Sequence, residues 1–68
     1  MTLADRLNEV ISSRHISKRE FARRIGVSEN YIYILTGRSN REARISASLA
    51  KLIALEFDCD AEWLLNGE

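Results

Sequence analysis

The chain is predicted to be an all-α, compact five-helix domain, and three observations lead there. Thr2, Ser17, Ser28, Ser46 and Asp60 each stand directly before a window of helical apolar spacing. Their short oxygen-bearing side chains can accept from the free N–H groups of a first helical turn. The chain has no proline, and its three glycines (Gly26, Gly37 and Gly67) fall where helices should stop. Short β-rich runs are absent. Sixty-eight residues allow one domain, residues 1–68, with one small core. Such a chain, with a single cysteine, depends on dense helix packing or on a partner subunit.

Taken in order, Thr2 caps a first helix over Leu3 to Ser13. Leu3, Leu7, Val10 and Ile11 fall at i, i+4, i+7 and i+8, an amphipathic pattern. Asp5 suits the positive end of that helix, and Arg14 its negative end. His15 reads as a linking loop residue. Ser17 caps a second helix, Lys18 to Ile25, and Glu20 three positions on completes a capping-box pattern. Phe21, Ala22 and Ile25 form its apolar face, and Gly26 stands where the chain must turn sharply. Ser28 caps a third helix, Glu29 to about Thr36, with Ile32 and Leu35 inward. Ile16 with Phe21, and Val27 with Ile32, have the spacing of hydrophobic staples.

Gly37 closes the third helix, and a polar loop with Arg38, Arg41 and Arg44 follows. Ser46 caps a fourth helix, about Ala47 to Phe57, whose apolar stripe reads Ile45, Leu49, Leu52, Ile53 and Phe57. Asp60 caps a last helix, Ala61 to Asn66, with Gly67 as its stop. Cys59 reads as a small inward apolar residue. Trp63, Leu64 and Leu65 are too apolar for a free tail. They are expected to close the core on one side and to offer a dimer interface on the other.

Ser17 to Arg38 has the requirements of a helix-turn-helix: two capped short helices, a turn glycine and a small residue, Ala22, for close crossing. Any αα-hairpin shares caps and a turn glycine, so surface chemistry has to decide its use. Net charge is zero, which by itself disfavours a nucleic-acid partner. The distribution favours one. Met1 to Arg44 holds nine Lys/Arg and five Asp/Glu, net +4, and Ile45 onward holds one base and five acids, net −4. Lys18 and Arg19 oppose the dipole at a helix start, yet they suit a phosphate docked on the free N–H groups there. Ser28, Glu29, Asn30 and Tyr33 project outward from the third helix. Asparagine can pair bidentately with adenine, and glutamate can accept from cytosine. Glu29 could equally repel phosphates and so filter against wrong sequences. Arg38, Arg41 and Arg44 suit backbone clamping.

Other function classes find little support. A lone Cys59, a lone His15 and no ligand-spaced cluster argue against a metal. No nucleophile–base pair or phosphate loop suggests an enzyme, and neither a cofactor nor a small-molecule ligand is expected. The start, MTLADRL, lacks the apolar core of a signal peptide, and no 18-residue apolar run occurs. The expected location is cytoplasmic, with no membrane association.

Phe21-Ala22, Gly26-Val27-Ser28, Tyr31-Ile32, Leu35 and Gly37-Arg38 resemble the Cro/C1-type (XRE-like) helix-turn-helix family, which includes lambdoid phage repressors. The ending FDCDAEWLLNG is similar to the fifth helix and its lead-in in those lambda-repressor-like domains. The resemblance covers nearly the whole chain. It implies a dimeric, sequence-specific DNA-binding transcriptional regulator, a repressor acting at a palindromic operator. Carried over by position, Lys18 heads the second helix, where the family often has glutamine, and the lysine favours a phosphate contact. Ser28, Glu29, Asn30 and Tyr33 would read bases, and Arg38, Arg41 and Arg44 would be loop contacts. The stretch from Ser46 to Asp60 is longer than in the family. The alternative expectation is a helical protein-interaction module, antitoxin-like or adaptor, without specific DNA binding.

Overall fold

The computed structural model describes residues 1–37 and 42–67. Among them are five α-helices and no strand: α1 (Leu3–Ser13), α2 (Lys18–Ile25), α3 (Glu29–Leu35), α4 (Ala47–Phe57) and α5 (Ala61–Asn66). Every expected N-cap is in place. The side chains of Thr2, Ser17, Ser28, Ser46 and Asp60 each accept from a backbone N–H of the turn they open. The full capping box lies at Thr2 and Asp5, where each side chain answers the other's backbone N–H. At α2 only half of the expected box forms. Ser17 accepts from Glu20, while the Glu20 carboxylate turns to Arg23 instead. A charged guanidinium one turn on is a stronger partner for a carboxylate than a neutral backbone N–H.

Three connectors share one design. His15, Gly26 and Asp58 adopt positive φ of 56°, 76° and 53°. In each, the N–H of the residue after the positive-φ position returns to a carbonyl in the last turn of the helix: Ile16 to Ile11, Val27 to Ala22 and Cys59 to Ala54. That return bond is the mark of a Schellman turn. An apolar residue (Ile16, Val27 or Cys59) then packs on the core, and the next residue is the following N-cap. Three short links thereby set the entry angles of α2, α3 and α5. α3 ends one residue earlier than the sequence suggested. The buried Thr36 caps it, its hydroxyl donating to the Ile32 carbonyl at 2.7 Å, and Gly37 stays outside the left-handed region.

The core joins all five helices. Leu7, Phe21, Ile32, Ile53 and Leu64 are its fully buried large side chains, and Phe21 stacks on Phe57 with ring centroids 4.8 Å apart. α2 packs against α3 and α4, and α5 against α4 and α1. The Cα radius of gyration, 10.6 Å, is close to the roughly 11 Å expected for a folded chain of this length.

Two arginines, Arg6 on α1 and Arg14 directly after it, act as struts. Arg6 is only 7% exposed. Its Nε donates to the Leu64 carbonyl at 3.1 Å and its Nη1 to the Met1 carbonyl at 2.8 Å, so a cation satisfies the last turn of α5. Arg14 was expected to serve the end of its own helix. It reaches across instead, donating to the carbonyls of Phe57 and Asp58 at the end of α4.

Two other expectations are corrected. Leu64 is 0% exposed, so its side chain belongs to this chain's own core and is unavailable to a dimer partner. Leu52, placed on the apolar stripe of α4, is 50% exposed, because the buried face of the helix follows Ala50, Ile53 and Phe57. Cys59 packs against the core as expected, half-buried, with its Sγ 4.0 Å from the Ile53 carbonyl.

Candidate nucleic-acid interface

The turn at Gly26 sets the geometry of the candidate face. Gly26 and Val27 donate back to Arg23 and Ala22 at 3.3 and 3.0 Å, so α2 stops cleanly. Ser28 then opens α3 by accepting from the Tyr31 N–H at 3.1 Å. With Ile32 and Leu35 buried, Glu29, Asn30 and Tyr33 are left on the exposed side of α3. Ser28 is exposed as well, but its hydroxyl is committed to the cap.

Lys18 and Tyr33, predicted separately, come together across the two helices. The Lys18 ammonium sits 5.0 Å from the centre of the Tyr33 ring, a cation–π distance. Tyr33 remains 52% exposed. The pair borders an open cleft with Ala4, Asp5, Asn8 and Thr36. Ile34 is 54% exposed and adds a second apolar surface beside Tyr33.

The structure divides the basic residues into two groups. Arg6 and Arg14 cap helix ends, as described above. Arg23 pairs with Glu20, Nε to Oε1 at 3.0 Å. The hydrogen bond from Arg23 holds the Glu20 carboxyl below its ordinary range, and Glu20 in turn raises Arg23. Arg24 pairs with Glu56 at 2.8 Å and lies 4.7 Å over the Phe57 ring. Among the described residues up to Arg44, this leaves Lys18, Arg19 and Arg44 without a carboxylate within ion-pair reach and without a backbone carbonyl to cap. These are the described bases that the sequence assigned to DNA.

The predicted residues do not form one cluster. Lys18 and Arg19 open α2 beside the outer side of α3. Arg44 lies in a second cleft, with Met1, Thr2, Leu3 and Leu65, that shares no lining residue with the first. Arg38 and Arg41 lie outside the described residues. Trp63 and Leu65 are half-buried and pack on the core.

No group of three or more His, Cys, Asp or Glu side chains that could hold a metal occurs among the described residues. No helix among them is long and apolar enough to cross a membrane. No model of a known protein family, no curated protein and no solved structure matches this chain.

Proposed function

We propose that the chain is a helix-turn-helix DNA-binding domain that regulates transcription, acting as a repressor on a palindromic operator. The observation that carries this reading is the outer side of α3. A short, doubly anchored helix presents Glu29, Asn30 and Tyr33 to solvent, with the Lys18 ammonium fixed beside Tyr33. A helix presented in this way fits the major groove, where side chains reach base edges. Lys18 and Arg19 supply phosphate contacts and hence salt-dependent affinity. Asn30 reads a base, Glu29 accepts from a cytosine or rejects other sequences, and Tyr33 packs on a thymine methyl or reaches a phosphate. Two copies related by a two-fold axis match two half-sites about one helical turn apart. Bound there, they exclude polymerase.

Support also comes from the distribution of charge. Among the described residues up to Arg44, two of the three bases that structural duties do not occupy, Lys18 and Arg19, open α2 beside α3, and five of the ten acids fall from Glu56 onward. A second reading, a protein-interaction module, is favoured by one observation: Leu52 and Leu55 on α4 are exposed.

Selection of bound duplexes from a random DNA pool, at two salt concentrations, tests the proposal. A palindromic consensus whose binding weakens with salt is the expected result. No enrichment at protein concentrations high enough to dimerise would overturn it in favour of the protein-interaction reading.

A further inference from the structure

The outer side of α3 carries two stripes. Glu29 and Tyr33 stand one turn apart, and so do Asn30 and Ile34. All four residues are exposed. The first stripe is the charged one: it holds the Glu29 carboxylate, and the Lys18 ammonium lies over the Tyr33 ring. The second carries no charge. On it an amide is followed, one turn on, by a branched apolar side chain that stays more than half exposed. The proposed reading gives Asn30 a base and gives Ile34 no role.

We infer that Ile34 contacts the methyl group of a thymine, so that the Asn30–Ile34 stripe selects A·T base pairs. The chemistry of the major groove matches both parts of the stripe. Adenine offers N7 and its N6 amino group there, the acceptor and donor that an asparagine amide complements. Thymine offers its C5 methyl, the apolar group of that groove. The spacing matches too. Four residues of helix rise about 6 Å, and successive base pairs lie about 3.4 Å apart. With α3 along the groove, Ile34 therefore reaches about two base steps beyond the pair that Asn30 contacts. Its β-branched side chain is held near one rotamer in a helix, so contact costs it little freedom.

The same side chain rejects a G·C pair at that step. Guanine presents N7 and O6 there and cytosine its amino group, and an isoleucine pressed on these removes their water without replacing its hydrogen bonds. Continuity identifies the occupant. Ile34 adjoins both Asn30 and the stripe that Lys18 closes, where a phosphate-bearing ligand is drawn. Tyr33, engaged by that ammonium, falls to the phosphate side of the face. The inference rests on the DNA reading and deepens it by naming the base pairs selected.

A duplex enriched from the random pool tests it. Each thymine of one half-site is replaced in turn by deoxyuridine, which lacks the methyl and keeps the pairing edge, and binding of the whole chain is followed by fluorescence anisotropy. Wild type should weaken by about fourfold at one thymine of the half-site, the effect of one methyl group left in water. Substituting both half-sites should roughly square that factor. Ile34→Ala should bind the thymine and uracil duplexes alike, near the level that wild type reaches on uracil. Asn30→Ala should keep the thymine–uracil difference and lose preference at an adenine about two base steps away. A misfolded variant would lose both duplexes, whereas Ile34→Ala loses the difference between them. The inference is overturned if no thymine discriminates, if Ile34→Ala still discriminates, or if Tyr33→Ala alone removes the discrimination. In each of those outcomes the duplex is still bound, so the DNA reading stands. No enrichment from the pool overturns both claims together.

Discussion

Replacing Gly26 with alanine isolates the cost of the left-handed turn that orients α3. A Cβ built at Gly26 meets no atom within 4 Å, so the substitution adds no clash and the penalty is purely conformational. A non-glycine residue in this region costs about 1–2 kcal/mol. Alanine recovers part of this, roughly 0.5–1 kcal/mol, by restricting the unfolded chain. The expected net loss is about 1 kcal/mol. The mirror experiment lies in the other two connectors. His15 and Asp58 hold the same backbone conformation with side chains attached, so His15→Gly and Asp58→Gly should each gain about 0.5–1 kcal/mol. Asp58→Gly should gain slightly more, because it also removes a carboxylate from the negative end of α4. For a domain of this size, 1 kcal/mol moves Tm by about 4–8 °C. Urea and thermal unfolding followed by circular dichroism read all three variants. A neutral Gly26→Ala, or a destabilising His15→Gly, would refute the shared-connector reasoning.

Leu64→Ala should cost about 2–5 kcal/mol, as for a fully buried leucine, while Leu65→Ala costs clearly less; equal losses in urea unfolding would contradict the core assignment of Leu64. Burial raises the Cys59 thiol above its ordinary 9.0, Asp58 and Asp60 add to the shift, and Arg14 opposes it. The thiol therefore stabilises the fold fully below that ordinary value and loses the contribution as pH rises through the folded one. The stability difference between wild type and Cys59→Ala should shrink above roughly pH 9, and alkylation should be slower in native than in unfolded protein; equal alkylation rates would contradict this. On DNA, Asn30→Ala should relax preference at one base position by about 1–3 kcal/mol, read from competition among variant duplexes. Arg19→Ala should weaken all sequences alike and flatten the salt slope by about one unit, whereas an unchanged slope removes Arg19 from the phosphate contacts.

The helices were legible in the sequence because their signals are local. A cap such as Ser28 acts on N–H groups two or three residues away, and Gly26 provides for its own turn. What sequence reading missed depended on distant partners. Arg14 is drawn to the end of α4, forty-three residues away in the chain, which no local rule contains. Arg6 did leave a signal: it interrupts the apolar stripe of α1 between Leu3 and Val10, where only a satisfied cation can be buried. The trios His15-Ile16-Ser17, Gly26-Val27-Ser28 and Asp58-Cys59-Asp60 repeat one turn, apolar and cap pattern. Reading it would have placed His15 and Asp58 in the left-handed region. On α4, apolar residues occur on every side, so the stripe drawn from spacing took in Leu52, and only packing separates the buried face from the exposed one. In the candidate interface, sequence named Lys18 and Tyr33 as separate contacts, whereas their meeting is a product of the α2–α3 crossing.

The most direct test of the central claim is an amide chemical-shift map of the labelled chain titrated with a selected duplex at low salt. The DNA reading predicts shifts concentrated at Lys18, Arg19, Ser28, Glu29, Asn30 and Tyr33, fading as salt is raised. A map with no shifts at millimolar duplex, or with shifts confined to the outer face of α4, would contradict it.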